Sequence, residues 1–311
     1  MSARKLDGIL NLNKPKGWTS HDVVAYVRRL TRVRRVGHAG TLDPLATGVL
    51  LVCLGRATRI AEYLLKGRKR YRSVMRLGIS TDSHDADGEV TATAPVTVGR
   101  AQVEEALAEL RERRDQIPPM VSAVKRKGQP LYRLARQGIT VKREARPVMI
   151  HELALADWDP PFITIEMACS PGTYVRALAR DLGDLLGCGA HVTVLTRTAS
   201  GTFKLRDAVE LEQFDAAVGA REGNQGNVPG WHRLVIPMDA GLQHFPACHL
   251  GAAETKRIRS GQPIPPESVL EPENQICRAY ADSDAESRLI ALLIFDDDAQ
   301  LWRPHKVFHP L

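Results

Sequence analysis

Gly37-His38-Ala39-Gly40-Thr41-Leu42-Asp43-Pro44, carried on by Leu45-Ala46-Thr47-Gly48 into Val49-Leu50-Leu51-Val52-Cys53-Leu54, sets the reading of the chain. The last six residues are apolar without a break, the pattern of a short strand buried on both faces. At six residues it is far too short to span a bilayer. The part before it is a glycine-rich turn with one carboxylate. Pro44 biases Asp43 away from helical geometry, and Gly40 and Gly48 are expected to let the backbone approach a ligand closely. A carboxylate in such a turn is ordinarily an Asx turn or a helix cap. On the residues alone, structural and catalytic readings of Asp43 both stand.

Outward from this stretch, strands and helices alternate irregularly. Upstream, Gly8-Ile9-Leu10-Asn11-Leu12 reads as a strand leading into the turn Lys14-Pro15-Lys16-Gly17. Thr19 or Ser20 then caps a helix bearing Val23, Val24, Val27 and Leu30. Downstream, Lys69 to Leu77 alternates as a strand, and Val103, Leu107 and Leu110 mark a helix. Ile163, Ile165 and Met167 alternate up to Ser170-Pro171-Gly172. Thr173 is the expected cap of the next helix, with Val175, Leu178, Leu182 and Leu185, which stops at Gly187. This is an α+β body on a mixed sheet rather than a regular β-α-β series.

Charge divides the chain. Net charge is +7 over 311 residues, yet residues 241–311 hold seven Lys/Arg against ten Asp/Glu. The positive excess therefore lies in residues 1–240, as expected of a part that meets phosphate. The shift suggests a boundary near residue 240. Short apolar runs beyond it, Ile276 to Tyr280 and Leu289 to Phe295, suggest a small β-rich domain. Residues 217–230 read as a surface loop or insertion. Cys53, Cys169, Cys188, Cys248 and Cys277 form no C-x-x-C pair, which argues against a zinc site or disulfide framework. With no segment resembling a signal peptide at the start, a cytoplasmic protein is expected.

Two stretches are locally basic. Lys66, Arg68, Lys69, Arg70, Arg72 and Arg76 surround Tyr71, and Lys125, Arg126, Lys127, Arg133, Arg136, Lys142, Arg143 and Arg146 surround Tyr132. Cations interleaved with an aromatic suit looped RNA, although a solvated face accounts for each stretch taken alone.

The segment from Gly37 to Gly48 resembles the catalytic signature of the TruB family, the bacterial tRNA pseudouridine-55 synthases. Further blocks follow in family order over roughly residues 8–200. They are Asn13-Lys14-Pro15-Lys16-Gly17, Lys69-Arg70-Tyr71, Thr81 to Gly88, Pro118 to Ala123, Leu131-Tyr132 with Ala135 to Gly138, Cys169 to Arg176, Gly187 to Val192, and Leu195-Thr196-Arg197. The resemblance implies a pseudouridine synthase fold on a mixed, mainly antiparallel sheet over residues 1–240. It also implies an RNA-gripping thumb at about 117–150 and a PUA-like RNA-binding domain over 241–311.

It further implies an enzyme that flips uridine 55 out of the T loop of tRNA and isomerises it to pseudouridine. The reaction breaks the bond from C1′ of the ribose to N1 of uracil and rejoins the base through C5, so no cofactor or metal is needed in principle. One carboxylate can do the covalent or acid–base work, and a guanidinium beside it would orient it through two hydrogen bonds. By resemblance Asp43 is that carboxylate, Arg176 its partner, and Tyr71 the ring against the flipped uracil. His38 fills the gap that flipping leaves. Leu195 lines the uracil pocket or is a core leucine, Tyr174 packs near Arg176, and Lys14 supports the Asp43 loop through backbone carbonyls. Lys125, Arg126, Lys127 and Arg136 contact phosphate. Arg180 is expected to be solvated or near phosphate, and Asp85 and Asp87 to make turns. The expected partner is tRNA alone, with no membrane, no required protein partner and a monomer by default. The alternatives are a non-catalytic RNA-binding or tRNA-folding protein on the same surface, and a guide-RNA-dependent synthase subunit.

Overall fold

In the computed structural model, residues 6–122, 125–126, 129–130, 139, 141–222, 228–268, 275–283 and 286–308 are described. The central feature is a nine-stranded sheet. Its strands are β1 (Gly8–Lys14), β2 (Val36–His38), β3 (Thr47–Leu54), β4 (Lys69–Leu77), β5 (Ile150–Asp159), β6 (Phe162–Cys169), β7 (Ala190–Ser200), β8 (Phe203–Lys204) and β9 (Val209–Glu210). They run in the order β5-β6-β4-β7-β3-β1-β9, with β2 added to β3 and β8 to β7. Pairing is antiparallel except at β3–β7 and β1–β9. The sheet is thus mixed and mainly antiparallel.

The six-residue apolar run explains the layering. In β3, Leu50, Val52 and Leu54 enter one core, under α1 (Ser20–Thr31), α3 (Arg100–Glu112) and α4 (Val175–Leu186). Val49, Leu51 and Cys53 point the other way, into a second core with Ala57, Ile60 and α2 (Ala61–Lys66). A period-2 strand with apolar residues at every position has no solvent face. The outer half of the sheet differs: β4 alternates, with Lys69, Ser73, Met75 and Leu77 buried and Arg70 and Arg72 exposed.

Local chemistry sets the helix ends. Thr19 caps α1, its side chain accepting from the Asp22 N–H while the Asp22 carboxylate accepts from the Thr19 N–H. Thr173 does not cap α4 as expected. Its hydroxyl donates back to the Ser170 carbonyl, and the residue before the helix is Tyr174, in extended conformation without a side-chain cap. Gln116 clamps that junction instead, donating to the Tyr174 carbonyl at 3.1 Å and accepting from its N–H at 2.8 Å. Gly187 ends the helix in the left-handed region.

After α5 (Leu211–Gly219), residues 221–222 pair with 228–229. A four-stranded sheet follows, β10 (Ala247–Leu250), β11 (Ile276–Ser283), β12 (Glu286–Asp296) and β13 (Leu301–Val307), with α6 (Ala252–Arg259) between its first two strands. Its own core holds Ile258, Ile264, Ile290 and Trp302. It is seated on the central body by Tyr280, Leu289, Leu292 and Phe308, which share the second core with Ile9 and Leu51. Lys306 Nζ meets Glu62 at 2.6 Å, and Arg59 donates to the Val307 carbonyl at 2.5 Å. Among the described residues, no helix is long and apolar enough to cross a membrane.

Candidate active site

The Asp43 turn is held from below by backbone bonds and two polar side chains. Leu42 N–H donates to Ser20 Oγ at 2.8 Å, and Ala46 N–H to the Asp43 carbonyl at 3.1 Å. The Pro44 carbonyl accepts from Gly17 N–H at 2.8 Å and from Lys14 Nζ at 3.3 Å. Lys14 has no exposed surface and also donates to the carbonyls of Pro15 and Trp18. Burial lowers its pKa to about 8, against which the Asp43 carboxylate acts. The structure brings Lys14 to the loop as expected.

The Asp43 side chain is spared capping duty and projects, 34% exposed, toward Arg176. Arg176 is 2% exposed and donates from Nε to Asp43 Oδ2 at 2.8 Å. The two-bond fork expected between these groups is absent. The other guanidinium nitrogens go to the carbonyls of Ser83, at 3.1 Å, and Val121, at 2.8 Å. Asp85 also faces Arg176, with Oδ2 at 3.5 Å from Nε. It does make the expected turn, accepting from the Asp87 N–H at 3.2 Å and from the Ser83 hydroxyl at 2.5 Å. It is nevertheless buried, and burial raises its pKa while the Ser83 bond and Arg176 oppose the rise. Its neighbour Asp87 is exposed and belongs to the turn alone. The paired carboxylates of Thr81 to Gly88 are the sequence signal for Asp85, since only one carboxylate of such a turn needs to serve the turn.

Tyr71 is half-buried against the main core, opposite Met167 and Arg197 in the neighbouring strands. Burial raises its pKa, and the Arg197 guanidinium counteracts this. Leu195, on the same face of the sheet, is a buried core residue. Tyr174 is half-buried next to α4, and burial raises its pKa. His38, at the end of β2, is half-buried with Nδ1 lacking a hydrogen-bond partner. Burial, then Arg197 and His21, lower its pKa, so a neutral ring faces neutral solution. Arg180 is neither solvated nor free: it pairs with Asp181 at 2.6 Å and donates to the Ile117 carbonyl.

Arg197 has a role that sequence reasoning does not assign. It is 1% exposed and donates to three backbone carbonyls: Val49 at 2.7 Å, Thr41 at 3.2 Å and Gly40 at 3.0 Å. These lie on both sides of Asp43. Gly48, with φ +104°, passes so near the Arg197 backbone that a Cβ there would sit 2.3 Å from its carbonyl oxygen. Gly40, with φ +106°, faces the guanidinium. Gly48 thus lets β3 pair closely with β7. The signal for Arg197 is a charged residue inside an otherwise half-apolar strand, which needs acceptors when buried.

The basic stretch around Tyr71 is split by the strand's period. Tyr71 and Lys69 point inward, while Arg70 and Arg72 point to the opposite face and pair with Glu152 at 2.7 Å and Glu166 at 3.0 Å. Cations and aromatic therefore do not share a surface, and the interleaved RNA platform expected of this stretch is not formed. In the second stretch, Lys127 and Arg136 lie outside the described residues, as do the side chains of Lys125 and Arg126. The backbone of the latter pair forms a short hairpin with Gln129–Pro130. Among the described residues, no group of three His, Cys, Asp or Glu could hold a metal ion.

Comparison with known proteins fits this geometry. Residues 28–175 match the model of the TruB family pseudouridylate synthase N-terminal domain, and residues 176–243 that of the tRNA pseudouridylate synthase B C-terminal domain. The chain is 46% identical over 261 residues to a tRNA pseudouridine synthase B of Pseudomonas aeruginosa, covering 84% of both chains. It is 42% identical over 261 residues to the enzyme of that name from Haemophilus influenzae, covering 84% of this chain and 82% of that one. Among solved structures, a chain in the crystal structure of a Cbf5-Nop10-Gar1 complex shares the fold. The TM-score is 0.74 at 24% identity, covering 97% of this chain and 85% of that chain. On its sequence relatives, the chain belongs to the TruB family of pseudouridylate synthases.

Proposed function

We propose that this chain is a tRNA pseudouridine synthase that converts uridine 55 in the T loop to pseudouridine with the Asp43 carboxylate. The observation that carries the reading is the contact of buried Arg176 with half-exposed Asp43, beside the ring of Tyr71. Mere RNA binding needs no carboxylate fixed in place by a desolvated guanidinium, because a carboxylate at an RNA surface repels phosphate.

The uridine must leave its stack to reach a carboxylate that is turned toward a buried guanidinium. Tyr71 packs on the extruded base, and the neutral ring of His38 takes the place that the base vacates. Asp43 then acts on the nucleotide while the bond from C1′ to N1 breaks. The uracil turns in the pocket, C5 bonds to C1′, and the C5 proton leaves as N1 gains one, so atoms and charge balance. Arg176 aims the carboxylate, while Lys14 and Arg197 hold the turn that carries it. The segment at about 117–150 serves as a thumb that closes on the T stem-loop. Residues 1–240 make up the catalytic domain and residues 241–311 a PUA-like RNA-binding domain. The protein works as a monomer in the cytoplasm, on tRNA without a protein partner.

The decisive experiment incubates purified protein with a T-arm hairpin and measures pseudouridine. Asp43→Asn should bind the hairpin within about threefold of wild type and form no product, a loss of at least about 10³-fold. Product formation at the wild-type rate would remove Asp43 from the reaction.

A further inference from the structure

The end of α1 and the turn after it read Arg28-Arg29-Leu30-Thr31-Arg32-Val33-Arg34-Arg35, five arginines in eight residues with no acid among them. All five are exposed. Among the described residues, none has a carboxylate oxygen within 4.0 Å. Several exposed arginines elsewhere differ: Arg70, Arg72, Arg100 and Arg303 each meet an acid at 3.0 Å or less.

The run is held in place by its backbone. Arg32 closes α1 in the left-handed region, its N–H donating to the Arg28 carbonyl. The Arg28 guanidinium donates to the Val36 carbonyl at 3.0 Å, and the Arg35 carbonyl accepts from Gly55 N–H at 2.8 Å. A helix C-terminus tolerates cations, each favoured by roughly 0.3–1 kcal/mol, which accounts for Arg28 and Arg29. It does not account for Arg34 and Arg35, which lie beyond the helix and add like-charge repulsion. Such a cluster without counter-charges is a surface prepared for a polyanion.

Its position says which polyanion. Arg35 immediately precedes β2, which leads to His38 about 10 Å away. Gly55, bonded to Arg35, opens the short helical turn that carries exposed Arg59, and Arg59 reaches the Val307 carbonyl of the C-terminal sheet. The ring nearest the run, Tyr26, is covered edge-on by Trp18 and by the Arg29 guanidinium. The guanidinium occupies a ring face on which an unstacked base would otherwise stack. Cations without a stacking platform suit the regular phosphate backbone of a helix rather than an opened loop.

We infer that Arg28, Arg29, Arg32, Arg34 and Arg35 form a phosphate-binding surface for a helical part of the tRNA outside the T-arm hairpin. This rests on the proposed action on tRNA and adds a second contact region to it. The surface lengthens the footprint beyond the hairpin that feeds Asp43 and raises affinity without touching the reaction.

The test uses the full chain, an unmodified tRNA transcript and an isolated T-arm hairpin. The variant R29Q/R32Q/R34Q should bind full tRNA at least tenfold more weakly at low salt. Its plot of log affinity against log salt should flatten by about two or more, close to one for each phosphate no longer neutralised. Binding and pseudouridine formation with the hairpin should stay within twofold of wild type, which also reports an intact fold. R70Q/R72Q, which removes charge from the acid-paired face, should leave the tRNA slope unchanged. An unchanged slope in the triple variant, equal weakening on the hairpin, or equal flattening in R70Q/R72Q would each overturn the inference. Wild-type protein that forms no pseudouridine in the hairpin would instead overturn the proposed function.

Discussion

The two faces of β4 are made from one basic stretch and do opposite things. On the inner face Lys69 is buried, and Tyr71 packs half-buried against the main core. On the outer face Arg70 and Arg72, about half exposed, meet Glu152 of β5 and Glu166 of β6. Residues adjacent in sequence thus differ in solvation, in partner and in consequence. The same cation that costs several kcal/mol to bury is nearly free in water. Charge density along a chain consequently says little about a binding surface until the period of the element is known.

That contrast is broken most severely at Arg197, which faces Tyr71 across the strand boundary. Arg197→Lys keeps the charge but cannot reach the carbonyls of Gly40, Thr41 and Val49 together. Losing two charge-assisted hydrogen bonds, each about 1.5–3 kcal/mol, should slow single-turnover pseudouridine formation by about 100-fold or more. Affinity for the hairpin should change little. A rate within threefold of wild type would show that the Asp43 turn stands without this positioning residue.

An intermediate effect is expected at Lys69, whose ammonium donates to the Leu64 carbonyl and Ser200 Oγ. Burial, reinforced by Arg197, lowers its pKa from 10.5 to about 8, with Cys169 acting weakly the other way. The unfolded chain therefore holds this proton more tightly than the folded one. The lysine's penalty is present in full below pH 8 and is relieved as pH rises from about 8 to 10.5. Relative to Lys69→Met, the wild type should gain on the order of 1–3 kcal/mol over that window, read from urea unfolding at pH 7 and pH 10. A difference that does not change with pH would mean that the ammonium is solvated in the folded protein. The smallest effect belongs to the outer face: R70Q/R72Q should cost less than about 1 kcal/mol in unfolding free energy, because exposed ion pairs contribute little. A larger loss would erase the distinction between the faces.

Much of this is legible in the residues. The apolar run from Val49 to Leu54 has no polar position, and it is buried on both faces. Thr19, followed three residues later by Asp22, announces the start of α1, and Gly187 the end of α4. What cannot be read depends on contacts between distant segments. Gln116 clamps Tyr174 from 58 positions away, so the start of α4 does not follow from Thr173 alone. Asp85 looks like a turn residue because its turn is local and its Arg176 contact is not. The close neighbour of Gly48 cannot be read either, because a missing Cβ does not say that the backbone of Arg197 fills the space.

The anchoring of the Asp43 turn by Arg197 has a consequence for folding. The bonds from Arg197 to Gly40, Thr41 and Val49 close loops of 148 to 157 positions. Contacts of such long range form slowly, because closing the loop costs entropy before anything is gained. As the chain leaves the ribosome, the Asp43 turn emerges early yet waits for residue 197 before it can be set. The carboxylate is therefore among the first parts of the pocket to be synthesised and among the last to be placed.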